Sequence, residues 1–414
     1  MTLEILYISS IPSPSEFNRI KTLFKSGFIY GMNESGYKFH TLILDGMRSR
    51  KDVNITSVVG RSVSINTHKG LFWKKRKEQK EENLCYDHIG FVNIPLIKHI
   101  MVGAGFFFRT LKWLINTSGK ERAIVLDGAY VTVHPFVFAA RAFSKCHVSA
   151  IFCDIYEYMA DVKDASSTEK VSLLRRIVRT ITTSMYRKLD SFVLLTEQMS
   201  PVVNKLNKPY IVMEGLVDSN MEEVPNRFEE KESPKTIMYA GALRAQYGLK
   251  NLVEGFMAYD DPNVRLSIYG AGDYSEDIAA AAEKDGRIHF GGMISLPEVV
   301  EKELYATLLV NSRPTDMEFA RYSFPSKNME YMASGTPLLT TRLPGMPQEY
   351  YEYVYTIDGN TPEDVTKALA RVMSESSETL HEKGMSARRF VLDKKNNVVQ
   401  SGRILSLVSG KEFN

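Results

Sequence analysis

Apolar positions recur along this chain at two spacings, and the two alternate. The runs EILYIS (residues 4–9), AIVL (123–126), VSAIFC (148–153) and SFVLL (191–195) are short, nearly continuous and aliphatic. Runs of that length suit strands buried on both faces of a parallel sheet. Between them, residues 14–28, 97–116, 133–143, 167–189 and 197–207 space their apolar side chains three and four apart, as helices do. Residues 38–44 read as the second strand, 60–82 as a variable basic region and 210–213 as another strand. A second series then begins. Strands over 236–239, 264–269, 288–290, 308–310 and 338–340 alternate with helices over 249–259, 275–285, 297–306, 326–333, 362–374 and 380–391. This rhythm predicts an α/β protein of doubly wound, Rossmann-like sheets.

The chain has 414 residues, more than one hydrophobic core usually serves. The stretch 221–235, MEEVPNRFEEKESPK, is charged, holds two prolines and has few apolar residues. It reads as a linker between a domain over 1–220 and a second over 236–392. Residues 393–414 are expected to form a helix that crosses back to the first domain. Two such domains facing each other across a cleft would bring two substrates together and shield them from water.

Composition narrows the setting. The balance of 44% hydrophobic and 24% charged residues is globular. Cys85, Cys146 and Cys153 make no disulfide framework, which fits a cytoplasmic location. The opening MTLEILYISSIPSP reads as a first strand rather than a signal peptide. Nowhere do 18 apolar residues run together. Charge is uneven: residues 1–220 carry 30 Lys+Arg against 20 Asp+Glu, and the remainder 22 against 29. The basic half suits an anionic membrane surface or a phosphate-bearing acceptor. Two stretches favour the membrane. KGLFWKKRKEQK (69–80) sets Leu71, Phe72 and Trp73 beside a cationic cluster, and 94–115 contains FFFRTLKWLI between basic flanks. A buried helix with snorkelling ends would show the same pattern. No nucleic-acid motif is present, so no nucleic-acid partner is expected.

The candidate chemistry lies in loops after strands, where open α/β sheets hold ligands. Gly241 permits a tight turn near a ligand, and Arg244 could fork onto a diphosphate. Gly270 and Gly272 would let a base or phosphate approach the backbone. In Tyr322-Ser323-Phe324-Pro325-Ser326-Lys327, a helix start at Pro325 or Ser326 would offer free N–H groups to a phosphate, with Lys327 adding a cation. Glu330, one turn on, could accept bonds from vicinal ribose hydroxyls. In the first half, Asp127, His134 and Asp154 stand at or near strand ends, where a carboxylate or imidazole could meet an acceptor hydroxyl. Pro12, Ser13 and Ser15 would line that side.

Phe324-Pro325-Ser326-Lys327, Glu330-Tyr331-Met332-Ala333 and Gly335-Thr336-Pro337 together resemble the FPSK-x-x-EYMA-x-G-x-P block of retaining family 4 glycosyltransferases. The likeness is strongest to bacterial members acting in capsular, exopolysaccharide or O-antigen assembly. It implies a GT-B fold and no cofactor or bound metal. The donor would be a nucleotide sugar, UDP- or GDP-linked. The glycan acceptor would be carried on polyprenyl diphosphate at the cytoplasmic face of the cell membrane. By this resemblance Glu330 holds the donor ribose, Ser323 to Ser326 approach sugar and diphosphate, and Gly270 and Gly272 sit by the nucleotide. The chain departs from the pattern at Tyr322, where many members carry glutamate. It departs again at Ala242 and Tyr247, where many carry basic residues. Arg244 and Lys327 would then supply the charge, and Asp316 or Glu318 would stand in for the missing carboxylate. A non-catalytic partner that keeps the shell, or a UDP-sugar 2-epimerase-like enzyme, are the rival readings.

Overall fold

The computed structural model describes residues 2–23, 34–63, 65, 70–155, 180–181 and 183–413. The chain forms two compact units: Met1–Met213 with Asn397–Asn414, and Glu214–Asn396.

In the first unit the aliphatic runs become strands β1 (Leu3–Ser9), β2 (Val53–Val59), β5 (Leu84–His88), β7 (Arg122–Asp127), β8 (His147–Phe152), β9 (Ser191–Leu194) and β10 (Tyr210–Val212). The polar strand β4 (Arg76–Glu81) adds to one edge. The sheet order is β10-β9-β8-β7-β1-β2-β5-β4, parallel throughout except where β4 runs against β5. A separate ribbon pairs β3 (Phe72–Trp73) with β6 (Phe91–Val92). Residues 60–82, expected to be variable, thus hold two strands. Helices α1 (Pro14–Leu23), α2 (Glu34–Arg48), α3 (Pro95–Asn116), α4 (His134–Arg141) and the short α5 (Ser200–Val203) complete this part. The expected helix over 167–189 falls largely outside the described residues, as does the end of that over 14–28.

One element differs from its expectation. Residues 38–44 form the middle of α2, not a strand. His40, Ile43, Leu44 and Met47 are buried at helical spacing. Within seven residues, KFHTLIL reads as a strand because Thr and Ile sit among other apolar residues. The helical period appears only across all fifteen residues of α2. The second strand is instead VNITSVV, β2, lying beside β1.

In the second unit strands β11 (Lys235–Ala242), β12 (Val264–Ala271), β13 (Ile288–Gly292), β14 (Leu308–Asn311), β15 (Leu338–Thr341) and β16 (Tyr355–Ile357) form a wholly parallel sheet. They alternate with α6 (Leu249–Ala258), α7 (Ser275–Lys284), α8 (Leu296–Tyr305), α9 (Ser326–Ser334), α10 (Pro362–Met373) and α11 (Ser377–Lys394). The order β13-β12-β11-β14-β15-β16 reverses direction between β11 and β14. Crossovers leave toward opposite faces at such a point and open a crevice at the carboxyl ends of the strands. Ile237, Leu266, Ile268, Leu308, Val310 and Leu339 form the sheet's part of the core.

The charged stretch 221–235 lies inside this second unit rather than between units. Asn226 Nδ2 donates to Ser334 O (2.7 Å), and Lys231 Nζ to Leu304 O (2.6 Å) and Thr336 Oγ1 (2.8 Å). Arg388 donates to the carbonyls of Met221 and Val224 (2.5 and 2.6 Å). The last helix, α12 (Asn397–Ser409), packs in the first unit. Ser401 Oγ donates to Ile43 O (2.9 Å). A Cβ on Gly46 of α2 would lie 2.0 Å from Asn397 O, so only glycine allows this approach. Among the described residues no helix is long and apolar enough to cross a membrane.

Candidate active site

The crevice of the second unit is framed by what happens where β11 and β14 part. These strands pair only at Ile237–Leu308 and Met238–Leu309. Past Met238, β11 has lost that partner on one side. The Tyr331 hydroxyl, brought in by α9, takes the vacated place. It accepts from Ala240 N (2.8 Å) and donates to Ala240 O (3.1 Å). Tyr331 is fully buried, and burial holds its phenol protonated far above the usual range. A neutral hydroxyl can do both jobs; a phenolate could not. The helix is thus tied to the strand end beside which a ligand would sit.

Gly241 follows at once. A Cβ there would come 3.3 Å from Lys327 Cε, so the Lys327 stem lies over this glycine. Lys327 Nζ stands 3.4 Å from Glu330 Oε2, one turn along α9. Both side chains are partly exposed. Pro325 occupies the N-cap of α9, and no side chain bonds to the first amides of the helix. Its amides and the positive end of its dipole are therefore available to an anion. Below, Asn311 Nδ2 donates to buried Asn328 Oδ1 (2.6 Å), which anchors the first turn to β14. Phe324 is buried against Tyr350, with ring centres 5.3 Å apart. Tyr350 OH in turn donates to Glu214 Oε1 (2.6 Å), a buried carboxylate ion-paired with Lys395. The Phe324-Pro325 turn thus stands on a rigid base.

Arg313 was not among the expected ligands, yet it occupies the loop leaving β14. Its guanidinium lies 4.6 Å from the centre of the Tyr247 ring and 5.8 Å from that of Phe319. Arg313 Nη1 donates to Ser323 Oγ (3.2 Å). Tyr247 is one of the positions where the family resemblance expected a base, and here its ring carries the cation instead of supplying one. The signal in the sequence was an arginine two residues past a buried strand, in VNSRP. Spacing within the loop, not within a helix or strand, brings it to Tyr247.

Arg244 is exposed at the rim of the 241–247 loop, with no side-chain partner among the described residues. Gly270 and Gly272 serve the protein's own backbone. Gly270 has φ +137°, and a Cβ would lie 1.8 Å from Gly241 O; at Gly272 it would lie 2.0 Å from Leu243 O. They let the 270 loop close onto the 241–243 loop, with Leu243 N bonded to Ala271 O (3.0 Å). They thereby hold Gly241 in place. Tyr322 ends a single 3-10 turn, Glu318–Tyr322, half-buried beside Ser323. Asp316 and Glu318, the alternative carboxylates, are exposed.

In the first unit the strand order also reverses, between β1 and β7. Asp127 ends β7, only 7% exposed, with Oδ1 accepting from Ala129 N (3.0 Å). His40 Nε2 is 3.9 Å from the same carboxylate, and its Nδ1 pairs with Tyr7 OH (2.5 Å). Burial lowers the pKa of His40, against the pull of Asp127. Asp154 follows β8. It and Asp127 lie close enough to Cys153 to add to the effect of burial in raising that thiol's pKa. Asp127 and Asp154 thus stand at the carboxyl ends of neighbouring parallel strands, β7 and β8. His134 is a correction. Its ring is completely buried, with Nε2 on Asp127 O (3.2 Å), and burial holds it neutral. It fixes the start of α4 and presents no surface to an acceptor hydroxyl. Ser13 and Ser15 both donate to Glu78 (2.9 and 2.7 Å). Buried Glu16 accepts from Arg19 (2.8 and 2.7 Å), Arg61 (2.6 Å) and Arg76 (3.1 Å).

Residues 220–390 match the family model described as glycosyl transferases group 1. No curated protein matches the chain by sequence. Among solved structures, the chain is similar to sucrose-phosphate synthase from Thermosynechococcus elongatus. That match has TM-score 0.63 and 13% identity over 97% of this chain and 98% of that one. Anabaena Alr3699/HepE in complex with UDP matches with TM-score 0.61 and 13% identity, over 99% and 100%. The lipopolysaccharide outer core galactosyltransferase WaaB matches with TM-score 0.60 and 16% identity, over 98% and 99%. At such identities the likeness is one of fold. The family model thus covers nearly all of the second unit, and the whole chain shares the GT-B fold of these solved structures.

Proposed function

We propose that the protein transfers a hexosyl residue from a nucleotide sugar to a glycan acceptor. The observation that carries this reading is the meeting, at the switch point of the second sheet, of Gly241, Lys327, Glu330 and the uncapped start of α9. A nucleoside diphosphate needs those features: amides and cations for the phosphates, and a carboxylate for the ribose. Arg313 and Lys327 would neutralise the leaving diphosphate as its bond to the sugar breaks, without calling on a metal. Fixed charges placed for the transition state are the largest contribution such a site can make. No secure protein nucleophile is needed if the acceptor hydroxyl attacks from the face the diphosphate leaves, and the configuration at the sugar is then retained. On the acceptor side, Asp127 with Asp154 would bind or deprotonate that hydroxyl. The basic first half favours an acceptor carried on a polyprenyl diphosphate, in bacterial surface polysaccharide assembly at the cytoplasmic membrane face. That UDP is bound by HepE supports a uridine donor as the first to test.

The test is incubation of the protein with a panel of UDP- and GDP-sugars and a membrane extract holding the native lipid-linked acceptors. Transfer of labelled sugar to lipid, undiminished by chelator and with retained anomeric configuration, is expected. Release of free hexose alone, or transfer that requires an added divalent cation, would refute the scheme. A second reading is favoured by Tyr322, Ala242 and Tyr247. These are positions where charge is expected, and a non-catalytic shell would bind nucleotide across the whole panel with no transfer.

A further inference from the structure

The face of α3 turned away from the first unit's core is apolar. Toward the core, α3 buries Val102, Phe106, Thr110, Trp113 and Leu114. Gly103 and Gly105 let it settle against Phe136 and Ile89, since a Cβ at either would come within 2.4 and 2.7 Å of those side chains. Helical spacing then turns Leu96, Ile97, Ile100, Phe108 and Ile115 outward, and they are 72, 44, 61, 65 and 66% exposed. Partly buried Phe107 and Leu111 continue the same arc. No charged residue falls within it. The β3–β6 ribbon extends the patch: Phe72 is 74% exposed, and an open groove of about 560 Å³ separates the ribbon from Met101 and Gly105 of α3. At 1.5 Å per residue the arc spans about 29 Å, a patch well beyond the scattered apolar residues of ordinary surfaces.

Charge identifies what covers it. Exposed Lys74 and Lys75 border the groove, and exposed Lys112 flanks the arc. Residues 88–120 contain no Asp or Glu. Pairing two copies of this face about a two-fold axis would add a second set of lysines and no carboxylate from 88–120 to meet them. A protein interface would also need hydrogen-bond partners, at about one bond per 100–200 Å², and the arc offers none. Hydrocarbon asks for none.

We infer that the outer arc of α3, with Phe72 of the ribbon, is a membrane-insertion surface. Its apolar side chains enter the acyl boundary of an anionic bilayer while Lys74, Lys75 and Lys112 meet the phosphates. This goes beyond a basic surface held by charge alone, because part of the binding persists when salt screens the charge. It needs neither donor nor acceptor, so it stands or falls separately from the transfer reaction.

The test is co-sedimentation of the full chain with phosphatidylcholine vesicles, with and without phosphatidylglycerol, at low and high salt. The wild type is expected to bind the anionic vesicles and to retain part of that binding at high salt. F72E/I100E/F108E should lower binding at least about tenfold with an unchanged melting temperature. K74Q/K75Q should lower only the salt-sensitive part. Should the triple variant misfold, F72S alone, at an exposed site, should still weaken binding measurably. The inference is overturned if the wild type fails to bind, or if its binding vanishes at high salt. It is also overturned if the glutamate variants bind as the wild type does, or if they instead dissociate a dimer.

Discussion

Replacing Tyr331 with phenylalanine removes one oxygen and leaves the shape of α9 intact. That oxygen is bonded to both Ala240 N and Ala240 O. Both backbone groups lie in the core, where β11 has no second strand to take them. Leaving a buried donor or acceptor without a partner costs about 1–3 kcal/mol each. Allowing for partial relief by an entering water, Tyr331→Phe should cost about 2–4 kcal/mol. For a domain of this size, that lowers the melting temperature by about 4–16 °C. Calorimetric melting of the wild type and Y331F would read it, with the second unit's transition moving and the other staying put. Affinity for nucleotide should fall as well, because Gly241 directly follows the loosened residue. If Y331F melts where the wild type does, the hydroxyl is not the partner that holds the parted strand, and the account of how the crevice is framed fails.

Other perturbations follow from the same geometry. Arg313→Ala should weaken nucleotide-sugar binding about 10- to 100-fold, the worth of one or two charge-assisted bonds. Arg313→Lys should recover only part, since lysine cannot stack its plane on Tyr247. Gly270→Ala meets a backbone oxygen at 1.8 Å with φ at +137°. It should destabilise the protein by about 3 kcal/mol or more, seen as a shifted urea midpoint. Glu16 loses solvation on burial, yet hydrogen bonds from Arg19 and Arg61 win and hold its pKa down at about 2. Its folded value lies below the unfolded one, so its contribution is complete above about pH 4.5 and drains away as the pH falls toward 2. On the order of 3 kcal/mol is at stake, and Glu16→Gln should flatten the acid limb of the stability curve.

Much of the fold was legible because parallel strands announce themselves as unbroken aliphatic runs. From 236 onward, nearly every strand and helix lies within a few residues of its expected place; β16, YTI, was too short to stand out. At α2, seven residues taken alone mimic a strand, and the helical period shows only across all fifteen. The boundary near 221–235 was misplaced because a charged, proline-bearing segment need not be a linker: Asn226 and Lys231 bind it to α8 and the α9–β15 turn. Lys327 and Glu330 stand out in the FPSK-to-EYMA block, and the structure sets their charged ends 3.4 Å apart. Arg313 was not legible, because its stacking on Tyr247 joins loops from different strands. The burial of His134 was equally hidden, since a histidine before a proline reads the same whether it faces water or core.

The most direct test of the central claim is calorimetric titration of UDP and GDP into the wild type and Glu330→Gln. The account predicts that at least one of the two binds the wild type. It also predicts that the glutamine variant, with its melting temperature preserved, binds that nucleotide at least about tenfold more weakly, through loss of a charged acceptor to the ribose hydroxyls. No binding of either nucleotide by the wild type, or equal affinity in the two proteins, would contradict it.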